Sequence, residues 1–288
     1  MFKLLLCHRR TGEMSRHAFQ AYWRDRRSQL AIKLQSRLGF VQYGQTHQVS
    51  RWNLLYQGAR ASRSWVVTSP LAALDGTTVP PPWARDRSAK PDAAWDVVEA
   101  LGYPSEQAAV AALASSAGTD ALRRLADDQA PRTRRTVSVV TETHVPARDP
   151  HPPVPQVSLL FFLQSREKMT RREMLDYWET DHEELFLSLQ DAMGYREYEQ
   201  MHVRSPPSSV PLETLGTNAG ASADGIARIT YADLWTMGLR GLHPAALLAN
   251  VRLIRDETTF ADLQRSTLVL GREYQFKTSG PPHRSRSL

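Results

Sequence analysis

The chain has 288 residues, seven tryptophans, a single cysteine and a formal net charge of +6. That length suits about two ordinary domains. It contains no run of about eighteen apolar residues that could make a transmembrane helix, and the lone Cys7 excludes an internal disulfide and a multi-cysteine metal site. Charge is unevenly divided, with 21 Lys/Arg against 13 Asp/Glu in residues 1–150 and 15 against 17 in residues 151–288. The arginines are scattered and no aromatic-interleaved motif accompanies them, so a solvated basic surface is expected rather than a nucleic-acid partner. A reducing, cytoplasmic setting without membrane association is the default.

Residues 2–9 carry a short apolar run, Leu4–Leu5–Leu6–Cys7, and lack a small-residue cleavage site, so they read as a buried strand and not a signal peptide. Ser15 is a suitable N-cap for a helix reaching Leu38, with the apolar stripe Phe19, Trp23, Leu30 and Leu34, and Arg27 falls on that same face. Gly39 ends the helix. In the strand over 40–47, a period of two puts Val41, Tyr43, Gln45 and His47 on one side. Residues 48–92, with Trp52, Trp65, Trp83 and three consecutive prolines, are too long for a simple connection and read as a lid or an oligomer contact. A strand over 94–100, helices over 106–114 and 120–126 and a strand over 136–145 complete the first half.

A semi-rigid linker with five prolines spans 146–156. The plan then repeats: a strand over 157–163, a helix capped by Thr170 with the stripe Met174, Trp178, Leu185 and Leu189, and a strand over 195–202. A Pro/Ser/Gly loop over 204–224 precedes a strand over 229–235. Pro244 suits the first turn of a helix to Arg255. A turn at 259–263, a strand over 267–276 and a disordered tail from Ser279 are expected last.

The two halves match at an offset of 155 residues. Tyr22–Trp23 recurs as Tyr177–Trp178, Ser15 as Thr170, Gly39 as Gly194, Tyr43 as Tyr198 and His47 as His202, while Arg27 is replaced by His182. A constant offset over about forty residues marks an internal duplication. Each half reads β-α-β-β-α-β, the ferredoxin-like unit, whose sheet has helices on one face only. The expected fold is therefore α+β. Units 1–147 (carrying the insertion 48–92) and 157–278 would pair sheet to sheet as one pseudo-symmetric barrel, giving a monomer with an internal pseudo-dimer or a weak homodimer.

Phe19-x-x-Tyr22–Trp23, Tyr177–Trp178-x-x-x-His182-x-x-Leu185 and the strand-end Tyr198-x-x-x-His202 resemble the EthD domain of the dimeric α+β barrel superfamily. The resemblance covers both halves and fails over 48–92. It implies small cofactor-free enzymes of polyketide and aromatic natural-product pathways, acting as dehydratases, cyclases or decarboxylases. The wider superfamily includes cofactor-free oxygenases and haem enzymes. The family's helix histidine carries over to His182 only, its strand-end histidine to His47 and His202, and its third-strand acid to Glu99 and Asp233.

The residues themselves leave two readings of His182. A histidine on a buried stripe needs paired nitrogens, so His182 is either a core residue bonded to a carbonyl or a tyrosine, or a proton carrier. In the second reading His182, His202 and Tyr198 surround one cavity and exchange protons, since imidazole titrates near neutral pH. Asp181 is about 100° round the helix and a poor orienter. Arg27 either pairs with Glu99 or another acid, or holds an anionic substrate group by its fork of donors. Arg27, His47, Tyr43, Tyr177, Trp178 and Asp233 are the expected pocket lining, and His144 is expected to be exposed or structural. No spacing is diagnostic of a metal, a haem would need His182 or His202 as axial ligand, and no phosphate loop, dinucleotide fingerprint or nucleophile elbow occurs. No cofactor is expected. The expected function is a cofactor-independent lyase, cyclase or isomerase acting on a hydrophobic aromatic small molecule. The alternatives are a cofactor-free or haem-dependent oxygenase and a non-catalytic binding protein.

Overall fold

A computed structural model describes residues 1–49, 95–149, 156–215, 223–235, 237, 243–263 and 265–278. The expected insertion with its three tryptophans, most of the proline linker and the tail from Ser279 lie outside the described residues.

The strands are β1 (Phe2–Arg10), β2 (Gln42–Gln48), β3 (Val97–Tyr103), β4 (Thr133–Ala147), β5 (Gln156–Leu163), β6 (Glu197–Arg204), β7 (Gly225–Tyr231) and β8 (Thr267–Phe276). They close into one barrel in the order β1-β3-β2-β8-β5-β7-β6-β4. Within each half the first strand lies between the third and fourth, as β4-β1-β3-β2 and β8-β5-β7-β6. The halves join edge to edge, through β2–β8 and β4–β6. Closure leaves none of the described strands with an unpaired edge.

Alternation along the strands divides the core into three. Leu5, Cys7, Val98, Leu160, Met201, Ile226 and Val269 pack inside the barrel. Leu4, Leu6, Tyr43 and Leu101 face the first half's helices, and Leu159, Phe161, Tyr198 and Leu270 face the second half's. Outside the barrel the first half carries α1 (Arg16–Tyr22), α2 (Ser28–Lys33), α3 (Gln35–Leu38), α4 (Glu106–Leu113) and α5 (Ser116–Gln129). The second carries α6 (Arg171–Tyr177), α7 (Glu183–Ser188), α8 (Gln190–Met193) and α9 (Pro244–Phe260). None of the described helices is long and apolar enough to cross a membrane.

Local signals hold where the chemistry is local. The Ser15 hydroxyl accepts from Ala18 N–H, and Thr170 forms a reciprocal capping box with Glu173. Gly39 and Gly194 end their helices at φ of 72° and 69°, which glycine adopts without a Cβ penalty.

The expected stripes are corrected by a π-helical turn in each half, at Trp23–Arg27 and Trp178–His182. The extra residue in the turn moves the next buried position along by one, while Leu34 and Leu189 are buried as expected. Ala31 and Phe186 are buried where Leu30 and Leu185 were expected, and those leucines are only partly covered. The third strands also shift. β3 starts at Val97, not at 94, and β7 ends at Tyr231, because pairing of Leu163 with Gly225 and of Val157 with Tyr231 sets its register. Asp233 and Trp235 therefore lie beyond the strand, both exposed, so Asp233 is not the second half's strand acid. The 204–224 loop is not purely irregular: Val210, Leu212 and Leu215, the last two on a 3-10 turn, pack against the first half's helical core.

The β2–β8 seam depends on a small residue. A Cβ at Gly271 would stand 2.6 Å from Thr46 Cγ2 and 2.8 Å from the His47 carbonyl oxygen. Gly271→Val is expected to cost about 1–3 kcal/mol by overpacking, read as a lower urea midpoint; an unchanged midpoint would count against closure through this seam.

Candidate active site

Each π-helical turn presents a tryptophan at its start and a basic residue at its end, both buried. Such turns depart from regular i to i−4 bonding, and here a glutamine from the neighbouring strand supports each one. Gln45 Nε2 donates to the Trp23 carbonyl and Gln200 Nε2 to the Trp178 carbonyl, each at 3.0 Å. The turn thus fixes where Arg27 and His182 stand relative to the sheet.

In the second half His182 meets a carboxylate. Its Nδ1 is 2.5 Å from Asp256 Oδ2, and the Tyr177 hydroxyl donates to Asp256 Oδ1 at 2.7 Å. Burial acts to raise the Asp256 carboxyl, but the bonds from His182 and Tyr177 outweigh it and hold the group below its usual range. An ionised Asp256 keeps the proton on Nδ1, so Nε2 is the basic nitrogen. The ring packs edge-on to Phe260, centroids 5.0 Å apart, with Phe186 at 5.8 Å. Asp256 lies on α9, 74 residues further along the chain. Asp181, its neighbour in sequence, is exposed and bonds to Thr180.

Tyr198 and His202 do not join this centre. The Tyr198 hydroxyl accepts from Trp178 Nε1 at 2.9 Å and from Gln200 Nε2 at 3.2 Å, and its ring stacks on Phe186 at 4.0 Å. Burial raises this phenol well above its ordinary range, which makes it a poor acid. His202 sits against the Trp178 ring at 5.3 Å, with Nδ1 3.4 Å from Glu179 and Nε2 3.4 Å from Gln200 Oε1. Burial lowers its proton affinity against the pull of Glu179. The expected single cavity with two imidazoles and a phenol is therefore corrected to two separate histidine–carboxylate pairs, with the Trp178 indole bonded to Tyr198 and packed on His202. His144, half-exposed on β4, bonds Glu183 at 3.0 Å.

The first half differs because of one residue. Glu99 on β3 pairs with Leu6 on β1, while Phe161, the repeat equivalent of Leu6, pairs with Ala227. The buried Glu99 carboxylate gathers Arg27 at 3.1 Å, the Tyr43 hydroxyl at 2.6 Å and His8 Nε2 at 2.9 Å. Burial acts to raise Glu99, and Arg27 and His8 overcome it, holding the carboxyl far below its usual range. Arg27 is fully buried. Its Nη1 donates to the Leu125 carbonyl at 2.6 Å and to Asp128 at 3.3 Å, and its Nη2 also reaches Gln129 at 3.2 Å. With every nitrogen engaged inside the protein, Arg27 is a structural ion-pair partner, and the anion-holding reading is corrected. Tyr43 is bound to the same carboxylate. Trp23 Nε1, unlike Trp178 Nε1, has no partner. His47 bonds Gln45 at 2.7 Å and packs edge-on to Tyr274.

Asp128, His8 and Asp256 were missed in the sequence. Asp128 and Asp256 take equivalent parts in the two halves: each accepts from the tyrosine before the π turn (Tyr22, Tyr177) and meets the basic residue that ends it. Among the described residues no group of three or more His, Cys, Asp or Glu is arranged to hold a metal.

The EthD domain family matches residues 166–264. Residues 166–264 are an EthD domain. His182, Asp256, Tyr177, Tyr198 and His202 all fall inside it, and the first half lies outside the match. A structure described as an anthrone oxidase-like protein is 10% identical with a TM-score of 0.54, covering 97% of this chain and 94% of that one. A proposed monooxygenase from Lactobacillus acidophilus NCFM is 10% identical with a TM-score of 0.45, over 97% and 96% of the two chains. A dimeric protein of unknown function with a ferredoxin-like fold, from Bacteroides fragilis NCTC 9343, is 13% identical with a TM-score of 0.27. It covers 42% of this chain and 96% of its own. At 10% identity the likeness to the anthrone oxidase-like structure is one of fold. No curated protein matches.

Two outcomes follow from this geometry. Glu99→Ala leaves Arg27 buried without its main partner and is expected to destabilise the protein by about 3–5 kcal/mol. Adding Arg27→His, which recreates the EthD domain's histidine beside Asp128, should recover part of that loss in urea unfolding. Failure to recover any would show that the two halves do not share this logic. Burial, with help from Arg24, lowers His47 from its ordinary 6.5 to about 4. Between those values the unfolded chain binds the proton and the folded chain does not, so stability falls as pH drops from 6.5 towards 4. The loss is about 3 kcal/mol at most. His47→Gln should flatten the dependence of the urea midpoint on pH in that window, and an equally steep dependence in the variant would refute the assignment.

Proposed function

We propose that the EthD domain is the working half of an enzyme that moves a proton at carbon, with His182 as base and Asp256 as its orienting group. The observation that carries this reading is the 2.5 Å contact between His182 Nδ1 and Asp256. It leaves Nε2 basic, while the matching place in the first half holds an arginine locked to Glu99. The chemistry is that of a cofactor-independent lyase, cyclase or isomerase. Nε2 takes a proton α to a carbonyl. In a dehydration the same nitrogen returns that proton to the departing β-hydroxyl, which leaves as water. The surrounding rings of Phe186, Phe260 and Tyr177 favour an aromatic or polyketide-like substrate. His202 with Glu179 is a second histidine–carboxylate pair, nearer the surface. The chain as a whole is read as two EthD-like units, 1–147 and 157–278, paired pseudo-symmetrically within one monomer.

A second reading is a cofactor-free oxygenase, favoured by the shared fold with the anthrone oxidase-like structure. The same deprotonation would give an electron-rich carbanion, and molecular oxygen would accept its electrons.

Turnover of polyketide-like aromatic ketones, followed with an oxygen electrode in parallel, tests both. His182→Ala should lower kcat by about 10²–10⁴-fold, the usual worth of a positioned acid or base. Asp256→Asn should lower kcat with little change in KM. Oxygen uptake matching product would select the second reading, and turnover indifferent to His182→Ala would end both.

A further inference from the structure

The inward-facing residues of the barrel are not used by the His182 site. At one end of the barrel they enclose a cavity of about 440 Å³, and neither His182 nor His202 lines it. Its floor is apolar: Leu5, Val98, Leu160 and Met201, all lumen-facing. Its wall is charged. Arg228 Nη1 donates to Glu197 at 3.0 Å and to Glu199 at 3.5 Å, and Nη2 donates to Glu273 at 2.8 Å. Arg228 Nε also donates to Glu273, at 3.1 Å, and Lys3 donates to Glu199. Ser158 and Gln275 direct their donors at Glu273 as well. Burial acts to raise Glu199 and Glu273, but Lys3 and Arg228 respectively outweigh it, so both remain ionised at neutral pH.

The donors of Lys3 and Arg228 thus point at carboxylates. An ionised carboxylate has about four acceptor sites: Arg228, Ser158 and Gln275 fill those of Glu273, while Glu197 and Glu199 keep part of their capacity open. Within the wall itself two cations (Lys3 and Arg228) stand against three acids (Glu197, Glu199 and Glu273), a formal charge of −1, while at the rim Asp149 is paired with Arg196 at 2.9 Å and Arg148 is exposed. One more observation concerns the same lumen. Thr141, paired across from Lys3 on β4, is fully buried and its hydroxyl has no partner. Buried polar groups seldom lack one.

We propose that the barrel lumen is a second binding site, taking a small organic amine whose apolar body rests on the Leu5–Leu160–Met201 floor and whose ammonium lies between the Glu197 and Glu199 carboxylates. An anionic guest would meet the net negative charge and the acceptor-rich wall, and a purely apolar guest would leave the polar wall unmatched.

Calorimetric titration of the full chain with benzylamine and, separately, with benzoate tests this. Benzylamine is expected to bind at least about tenfold more tightly than benzoate, a factor of ten being about 1.4 kcal/mol. Ala100→Phe, which fills the lumen, should weaken benzylamine at least about tenfold by the same scale. Gln42→Trp, at the exposed rim of the cavity, should do likewise without touching the core and keeps the test decisive if Ala100→Phe fails to fold. Benzoate binding as tightly as benzylamine, benzylamine binding unchanged in Gln42→Trp, or no benzylamine binding at millimolar concentration would each overturn the proposal.

Discussion

A four-stranded sheet with helices on one face has two open edges and one bare apolar face, and the protein depends on satisfying all three at once. Pairing β2 with β8 and β4 with β6 does so. Every strand gains two neighbours, and the bare faces curl towards each other to make the lumen. Because side chains alternate along a strand, each strand then serves two environments. Leu4 and Leu6 hold the helices while Leu5 and Cys7 fill the barrel. Sheet closure, lumen and helix-covered faces are consequences of one set of backbone hydrogen bonds.

Within that frame the halves have diverged by means of buried charge. Both use the same parts: a π-helical turn, a supporting glutamine, and a tyrosine bonded to an aspartate on the last helix of the half. The first half adds Glu99 where the second has Ala227. A buried carboxylate must be paired, and it draws Arg27, Tyr43 and His8 onto itself. Their hydrogen-bonding groups are then engaged internally. Without such an acid, the second half leaves Tyr198 to accept from Trp178 and leaves His182 to a single carboxylate. The trade is local: one half has an internally neutralised cluster, the other an oriented imidazole.

The repeat, the helix caps, the αL glycines and the alternation of Tyr43, Gln45 and His47 were legible in the sequence because each depends on neighbours a few residues away. The shared place of Arg27 and His182 was legible too, since a fixed offset carries it whatever the fold. Of the helix stripes only Leu30 and Leu185 differ from expectation, because the π turn that displaces them is stabilised by glutamines from another strand. Asp233 was misread because β7's register is set by pairing with β5, and no local signal marks where that pairing ends.

The sequence by itself determined an α+β chain whose halves, at an offset of 155 residues, place a histidine in one and an arginine in the other. Tertiary structure decided what each could do. Asp256 reaches His182 from 74 residues away, Glu99 reaches Arg27 across 72, and both contacts exist only after helix and sheet have packed. Hydrogen bonds within a turn follow from adjacent residues. The partner of a buried charge is set by which distant elements fold against it.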